Sequence, residues 1–170
     1  MYVAIAAPNG CGALKSGNQS ITRSRGGNTT KIHMLAANEK TPVAMSLSEG
    51  HRHDAPQGCK LLDDFDHVPM LLNKYGKDPK STVTLIADKA YEGDKTRNLA
   101  KDLGYELCIP PKSNRKEPWE YDVELYKSRN EIERNFRRVK EYRRVFTRYD
   151  KLDVIYMGFV MLGFIVEALR

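Results

Sequence analysis

The sequence predicts a mixed α/β domain built in layers. Short β-capable runs alternate with helical patterns through the second half of the chain, two strand-like segments stand close together before them, and a carboxylate follows directly on one buried-looking run. Tyr2–Ala6 is the first apolar, β-capable run. Residues 8–29, rich in Gly, Ser, Asn and Arg, read as a loop. Thr30–Ala36 and Pro42–Leu47 read as strands joined by the turn-like residues 37–40. After polar residues 51–57, a helical stretch fits roughly Pro56 to Tyr75. Thr82–Ala87 (TVTLIA) reads as a buried strand, Glu92–Leu103 as a helix stopped by Gly104, and Tyr105–Ile109 as a strand ended by Pro110-Pro111. A polar loop at 112–119 precedes a long helix from about Asp122 to Arg144. The last element is an apolar helix, Leu152–Leu169. Ligands of such sheets gather at the carboxyl ends of strands, and Asp88 stands at one.

Length and composition narrow the classes. A chain of 170 residues, 41% hydrophobic and 29% charged, suits one domain with a real core and excludes a disordered or fibrous chain. Cys11, Cys59 and Cys108 are too few and too scattered for a disulfide framework or a cysteine-based zinc site. The N-terminal decapeptide lacks the basic flank and apolar length of a signal peptide, so a cytoplasmic protein is expected. Val154–Val166 is 13 residues without a charge, bracketed by Asp153 and Glu167. A membrane span needs about 20, so a buried core helix and no membrane partner are expected.

The net charge of +6 is unevenly spread: residues 1–60 carry +4, residues 61–110 carry −2 and residues 111–151 carry +5. Two basic blocks around an acidic middle fit a polyanion, although a solvated charged face produces the same pattern.

The long helix is the most informative segment. Leu125, Ile132, Phe136 and Val139 share one face and form its core stripe. Tyr126, Arg129, Glu133 and Lys140 form a second stripe roughly 100° away, spanning about four turns. Ordinary i,i+4 ion pairing accounts for such a stripe. The accompanying excess of arginine (Arg134, Arg137, Arg138, Arg143, Arg144) also suits phosphate oxygens, which guanidinium forks grip bidentately. Asp88 fits either a helix N-cap or a metal ligand. Together with Glu133 it would suit Mg²⁺, which takes one or two carboxylates plus phosphate oxygens. Arg23, Arg25 and Lys31, around the flexible Gly26-Gly27, could hold a DNA backbone. His51-x-His53 could ligate a metal on an extended segment, but further ligands for a zinc hydrolase are scarce and a hydrogen-bonding loop is expected. Trp119 is expected to pack rather than stack on bases.

These residues resemble a known family. Tyr126-x2-Arg129-x3-Glu133-x6-Lys140 matches the Tyr-Arg-Glu-Lys signature of bacterial insertion-sequence transposases, and Asp88-x-Ala90-Tyr91 matches the surroundings of their second catalytic aspartate. The similarity extends through residues 24–33, 50–54 and 130–138. It implies a ribonuclease-H-like mixed sheet flanked by helices, with an Asp-Asp-Glu triad that cuts and rejoins DNA using Mg²⁺ or Mn²⁺. Asp88 would be the second acid and Glu133 the third, both metal ligands, while Tyr126, Arg129 and Lys140 would position DNA phosphates near a transposon end. Arg137, Arg25 and Lys31 are further candidates for DNA contact. The family's first aspartate has no match, since no aspartate precedes Asp54. The expectation is therefore a single catalytic-core domain over 1–170, truncated at its N-terminus, inactive alone, and partnered by DNA ends, target DNA and a second copy in the cytoplasm near the nucleoid. A DNA-binding remnant without catalysis, or a metal-dependent nuclease of the same fold, are the rival readings.

Overall fold

The computed structural model describes residues 2–6, 19–24, 27–38, 40–69 and 82–170. Six strands form one sheet: β1 (Tyr2–Ala6), β2 (Thr22–Ser24), β3 (Gly27–Ala36), β4 (Pro42–Glu49), β5 (Thr84–Ile86) and β6 (Glu106–Cys108). The helices are α1 (Asp54–Asp64), α2 (Asp94–Asp102), α3 (Val123–Lys127), α4 (Arg129–Val139), α5 (Arg143–Phe146) and α6 (Asp153–Ala168), with a 3-10 turn at Lys89–Tyr91.

The ten-residue β3 organises the sheet. It pairs antiparallel with β1 on one side and β4 on the other, while its first residues pair with β2. The sheet continues from β1 through β5 to β6 in parallel, so an antiparallel half and a parallel half meet at β1. Successive side chains of a strand point to opposite faces, and β3 is buried on both. Leu35 joins Ala44, Leu61, Leu62, Leu85, Ala100 and Tyr105 under α1 and α2. Ile32, Met34 and Ala36 join Ile132, Phe136, Val139, Tyr156, Val160 and Phe164 under α4, α5 and α6. The phenyl rings of Phe136 and Phe164 meet edge to face, 5.9 Å apart at 77°. The mixed α/β layering expected from the sequence is what the structure has.

Several expected boundaries move. Residues 22–24, expected in a loop, form β2, and β3 starts at Gly27 rather than Thr30 because β2 supplies a partner for its first residues. Helix α1 starts at Asp54 and ends at Asp64, so the stretch expected over 56–75 is shorter there, and its part at 70–75 lies outside the described residues. The helix expected from Asp122 to Arg144 is three helices. At Ser128 the chain tightens to i,i+3 bonds, Ser128 N to Leu125 O and Glu131 N to Ser128 O. At Tyr142 the backbone becomes extended. Leu125, assigned to the core stripe, is exposed, because it lies on α3 before the tight turn and α3 buries nothing. Gly104 stops α2 as expected, with φ +84°.

Helix α6 departs from a fully buried core helix. Tyr156, Val160 and Phe164 are buried, but Val154 is 75% exposed and Leu162 and Ile165 are more than half exposed. Its apolar surface is thus used on one side only. No described helix is long and apolar enough to cross a membrane.

A buried guanidinium joins the ends of this architecture. Arg148 is fully buried and pairs with Asp153 at 2.6 Å, at the start of α6. It also donates to Thr30 Oγ1 on β3 and to the backbone carbonyl of Asp150. Asp153 in turn accepts from the Ser20 amide and hydroxyl. A charge removed from water is tolerated only when it is paired and hydrogen-bonded, and here the partners come from both ends of the chain.

Two further packing details bear on the site. The Tyr91 ring lies directly over Gly58 of α1, where a Cβ would overlap it. His33 on β3 is fully buried, with Nε2 2.7 Å from Ser48 Oγ. Burial lowers its pKa to about 4, with Asp54 opposing and Lys31 reinforcing that shift.

Gly58→Ala is expected to cost about 1–3 kcal/mol in urea unfolding, since the new methyl displaces Tyr91 and with it the turn that carries Asp88. A pH series of the same measurement has a definite sign. Unfolded His33 takes its proton near pH 6.5 and folded His33 only near 4. The native imidazole therefore contributes stability that is complete above pH 6.5 and lost as pH falls to 4, up to about 3 kcal/mol. His33→Gln is expected to flatten the profile within that window.

Candidate active site

Three separate pieces of chain build the candidate site. The first is the end of β5. Leu85, Ile86 and Ala87 are buried, and two residues beyond the strand the chain emerges at Asp88, which is 44% exposed at its side chain. Asp88 caps the 3-10 turn: its Oδ1 accepts from the Ala90 amide at 3.0 Å, leaving Oδ2 turned to the site. The capping and ligand readings are therefore compatible in one side chain. Behind it, the Tyr91 hydroxyl is buried and has no hydrogen-bond partner among the described residues. Burial raises its pKa, with Asp54 and Asp88 adding to the shift, so that hydroxyl stays protonated beside two carboxylates.

The second piece is the first turn of α4 and the third is the last turn of α3. Ile132, Phe136 and Val139 anchor α4 on the sheet, which turns Arg129 and Glu133 outward. Arg129 Nη1 lies 2.8 Å from Glu133 Oε1 and 3.7 Å from Asp88 Oδ2. The Tyr126 ring on α3 lies 5.7 Å from the Arg129 guanidinium carbon and edge-on to Tyr121. Burial opposes the charge on Arg129, but Tyr126, Glu133 and Asp88 outweigh it and the guanidinium pKa is raised. Burial likewise raises Tyr126, against the opposing charge of Arg129. Both groups keep their protons at neutral pH.

The structure thus brings Asp88, Tyr126, Arg129 and Glu133 to one place. Lys140 and Arg137 follow on the Glu133 side of α4, and neither has an ion-pair partner among the described residues. Their neighbours are committed: Arg134 to Glu131, Arg138 to Glu167 and Arg144 to Asp150. Lys31 is held elsewhere, paired with Asp54 at 2.8 Å and donating to the Arg52 carbonyl. Arg25 lies outside the described residues. His51 hydrogen-bonds Thr22 from its loop, as expected. Trp119 packs between the guanidinium groups of Arg97 and Arg115, 3.4 and 4.6 Å from the ring centre, and donates to the Ile109 carbonyl. It is a packing residue.

Asn135 was not anticipated. It is fully buried on α4, two residues after Glu133, and its amide oxygen and nitrogen both lack a partner among the described residues. The signal was a polar residue in the apolar stripe beside Ile132, Phe136 and Val139.

The donor set tests the metal reading. Both acids offer oxygen only, both reach solvent, and both converge on a single positive nitrogen. That suits a hard divalent cation which completes its shell with water and phosphate oxygens. Among the described residues no group of three or more His, Cys, Asp or Glu side chains gathers into a metal site.

The family model for the transposase DDE domain matches residues 9–166. A Brucella ovis protein named as a transposase for insertion sequence element IS6501 is 32% identical over 143 residues, covering 84% of this chain and 99% of that one. A Burkholderia cepacia protein named for insertion sequence element IS402 is 27% identical over 152 residues, covering 89% and 67%. No solved structure matches the chain. The chain belongs to the DDE transposase family.

Asp88→Ala is expected to cost about 1 kcal/mol through the lost cap alone, measured by thermal unfolding without divalent ions. Asp88→Asn, which keeps an acceptor for the Ala90 amide, is expected to lose less.

Proposed function

We propose that the chain is a DNA transposase whose cleavage and strand-transfer chemistry runs at Asp88 and Glu133 on a ribonuclease-H-like core. The observation that carries this reading is the convergence of the two acids, far apart in sequence, on one guanidinium nitrogen at 2.8 and 3.7 Å. Two carboxylates held at one point match what metal-assisted phosphodiester chemistry needs from a protein, and membership of the family favours a transposase over a nuclease or a DNA-binding remnant. The sheet, antiparallel on one side of β1 and parallel on the other with helices on both faces, supports the ribonuclease-H-like reading.

Asp88 and Glu133 would hold Mg²⁺ or Mn²⁺. A divalent ion held there would activate a water or a DNA 3′-hydroxyl and stabilise the leaving phosphodiester oxygen. The chain's own groups do the rest. Asp88 is fixed by its cap and by Tyr91 behind it, while Glu133 is fixed by the anchored face of α4. Arg129 offers a planar fork to phosphate, with Tyr126 against it. Arg137 and Lys140 extend a cationic track along α4 for the DNA backbone, Arg25 is a further backbone contact, and Lys31 would have to leave Asp54 to become one. The partners are transposon-end and target DNA, with a second copy of the chain in the assembly, in the cytoplasm at the nucleoid.

Glu133→Gln is expected to lower Mn²⁺ affinity in calorimetry by tenfold or more. Unchanged Mn²⁺ binding would leave Glu133 as an ion-pair residue only. Arg137→Ala and Lys140→Ala are each expected to weaken duplex binding across all sequences. Each should reduce the slope of log affinity against log salt by about one, as removal of a single phosphate contact does.

A further inference from the structure

Arg129 holds the position a metal ion would need. Its Nη1 lies within ion-pair reach of both Asp88 Oδ2 and Glu133 Oε1. Glu133 is its closer partner, and the Arg129 side chain is only 22% exposed, wedged between the two acids and the Tyr126 ring. Like charges repel strongly at such separations, so a divalent cation and this guanidinium cannot both occupy the space between the carboxylates at full strength. The fork has an alternative, because the same donors that grip carboxylate oxygens grip phosphate oxygens equally well. Exchanging its acidic partners for phosphate oxygens therefore swaps one set of charge-assisted hydrogen bonds for another of the same kind.

We propose that Arg129 is an exchangeable stand-in cation that couples DNA binding to metal binding. In the free protein its guanidinium neutralises Asp88 and Glu133, holds them together and competes with the divalent ion. When a DNA phosphate takes the guanidinium, the two carboxylates are released to the metal, so the site loads its ion in the presence of its substrate. This rests on the reading of Asp88 and Glu133 as metal ligands and adds the order of loading. Binding linkage is reciprocal, so DNA must tighten Mn²⁺ by the same factor as Mn²⁺ tightens DNA.

The test is Mn²⁺ binding by the full chain, followed by electron paramagnetic resonance of the free ion, with and without a short duplex. Mn²⁺ held by the duplex alone is subtracted. Wild type is expected to bind Mn²⁺ about tenfold more tightly with duplex present, a coupling of ordinary size. Arg129→Gln is expected to bind Mn²⁺ about tenfold more tightly than wild type without DNA and to lose most of the DNA effect. Arg129→Lys, which keeps the charge and can be compared if the glutamine variant unfolds, is expected to stay near wild type without DNA. Duplex that leaves wild-type Mn²⁺ affinity unchanged overturns the exchange, as does Arg129→Gln binding Mn²⁺ no more tightly than wild type. If Asp88→Asn and Glu133→Gln still abolish Mn²⁺ binding, the metal reading stands while the exchange falls. If those two variants bind Mn²⁺ normally, both fall together.

Discussion

The constraint on which this structure depends is the burial of β3 on both faces. A strand with one solvated face can alternate apolar and polar side chains, but β3 has no solvated face. Ile32, Met34 and Ala36 are committed to one helical layer and His33 and Leu35 to the other. A slip of one residue in its pairing would exchange the two sets. His33 would then enter the apolar layer under α4 and lose Ser48. The polar residue in this strand therefore specifies register, at the cost of an imidazole that must stay neutral.

The candidate site inherits its precision from that double layer. Asp88 belongs to the layer of α1 and α2 through Tyr91 and Ala87. Glu133 and Arg129 belong to the opposite layer through Ile132 and Phe136. The acids meet at the sheet end where the two layers come together, which is why neither helix alone could hold the pair. A small change deep in the first layer, such as a methyl group at Gly58, reaches one acid and leaves the other in place.

Much of this could be read in the sequence, for identifiable reasons. Strand β5 and helix α2 are framed by strong local signals, an apolar run and a glycine stop, and they lie within a residue or two of expectation. The stripe of Tyr126, Arg129 and Glu133 was visible because its periodicity survives the tight turn at Ser128, whose dihedrals of −61° and −19° remain near helical values. The same fact hid the break itself. The second break, at Tyr142, carries neither glycine nor proline, so nothing local announces it. Strand β2 escaped because three polar residues are a strand only when β3 extends far enough to pair with them. Asp88 and Glu133 could be named singly from the residues, whereas the guanidinium bridge between them depends on distances that no spacing in the chain encodes.

The distribution of the core along the chain also decides when the protein can fold as it is made. The sheet is assembled from residues before Ile109, yet one of its faces is covered only by Ile132 through Phe164, and Thr30 receives its buried partner only with Arg148. While a ribosome is still adding the last third of the chain, Ile32, Met34 and Ala36 have only Met45 and Leu47 of the neighbouring strand to pack against, and the sheet lacks its helical cover on that side. Long-range contacts of this kind close slowly and leave apolar surface open in the meantime. A nascent chain stalled before Arg148 therefore exposes part of that face to chaperones and proteases.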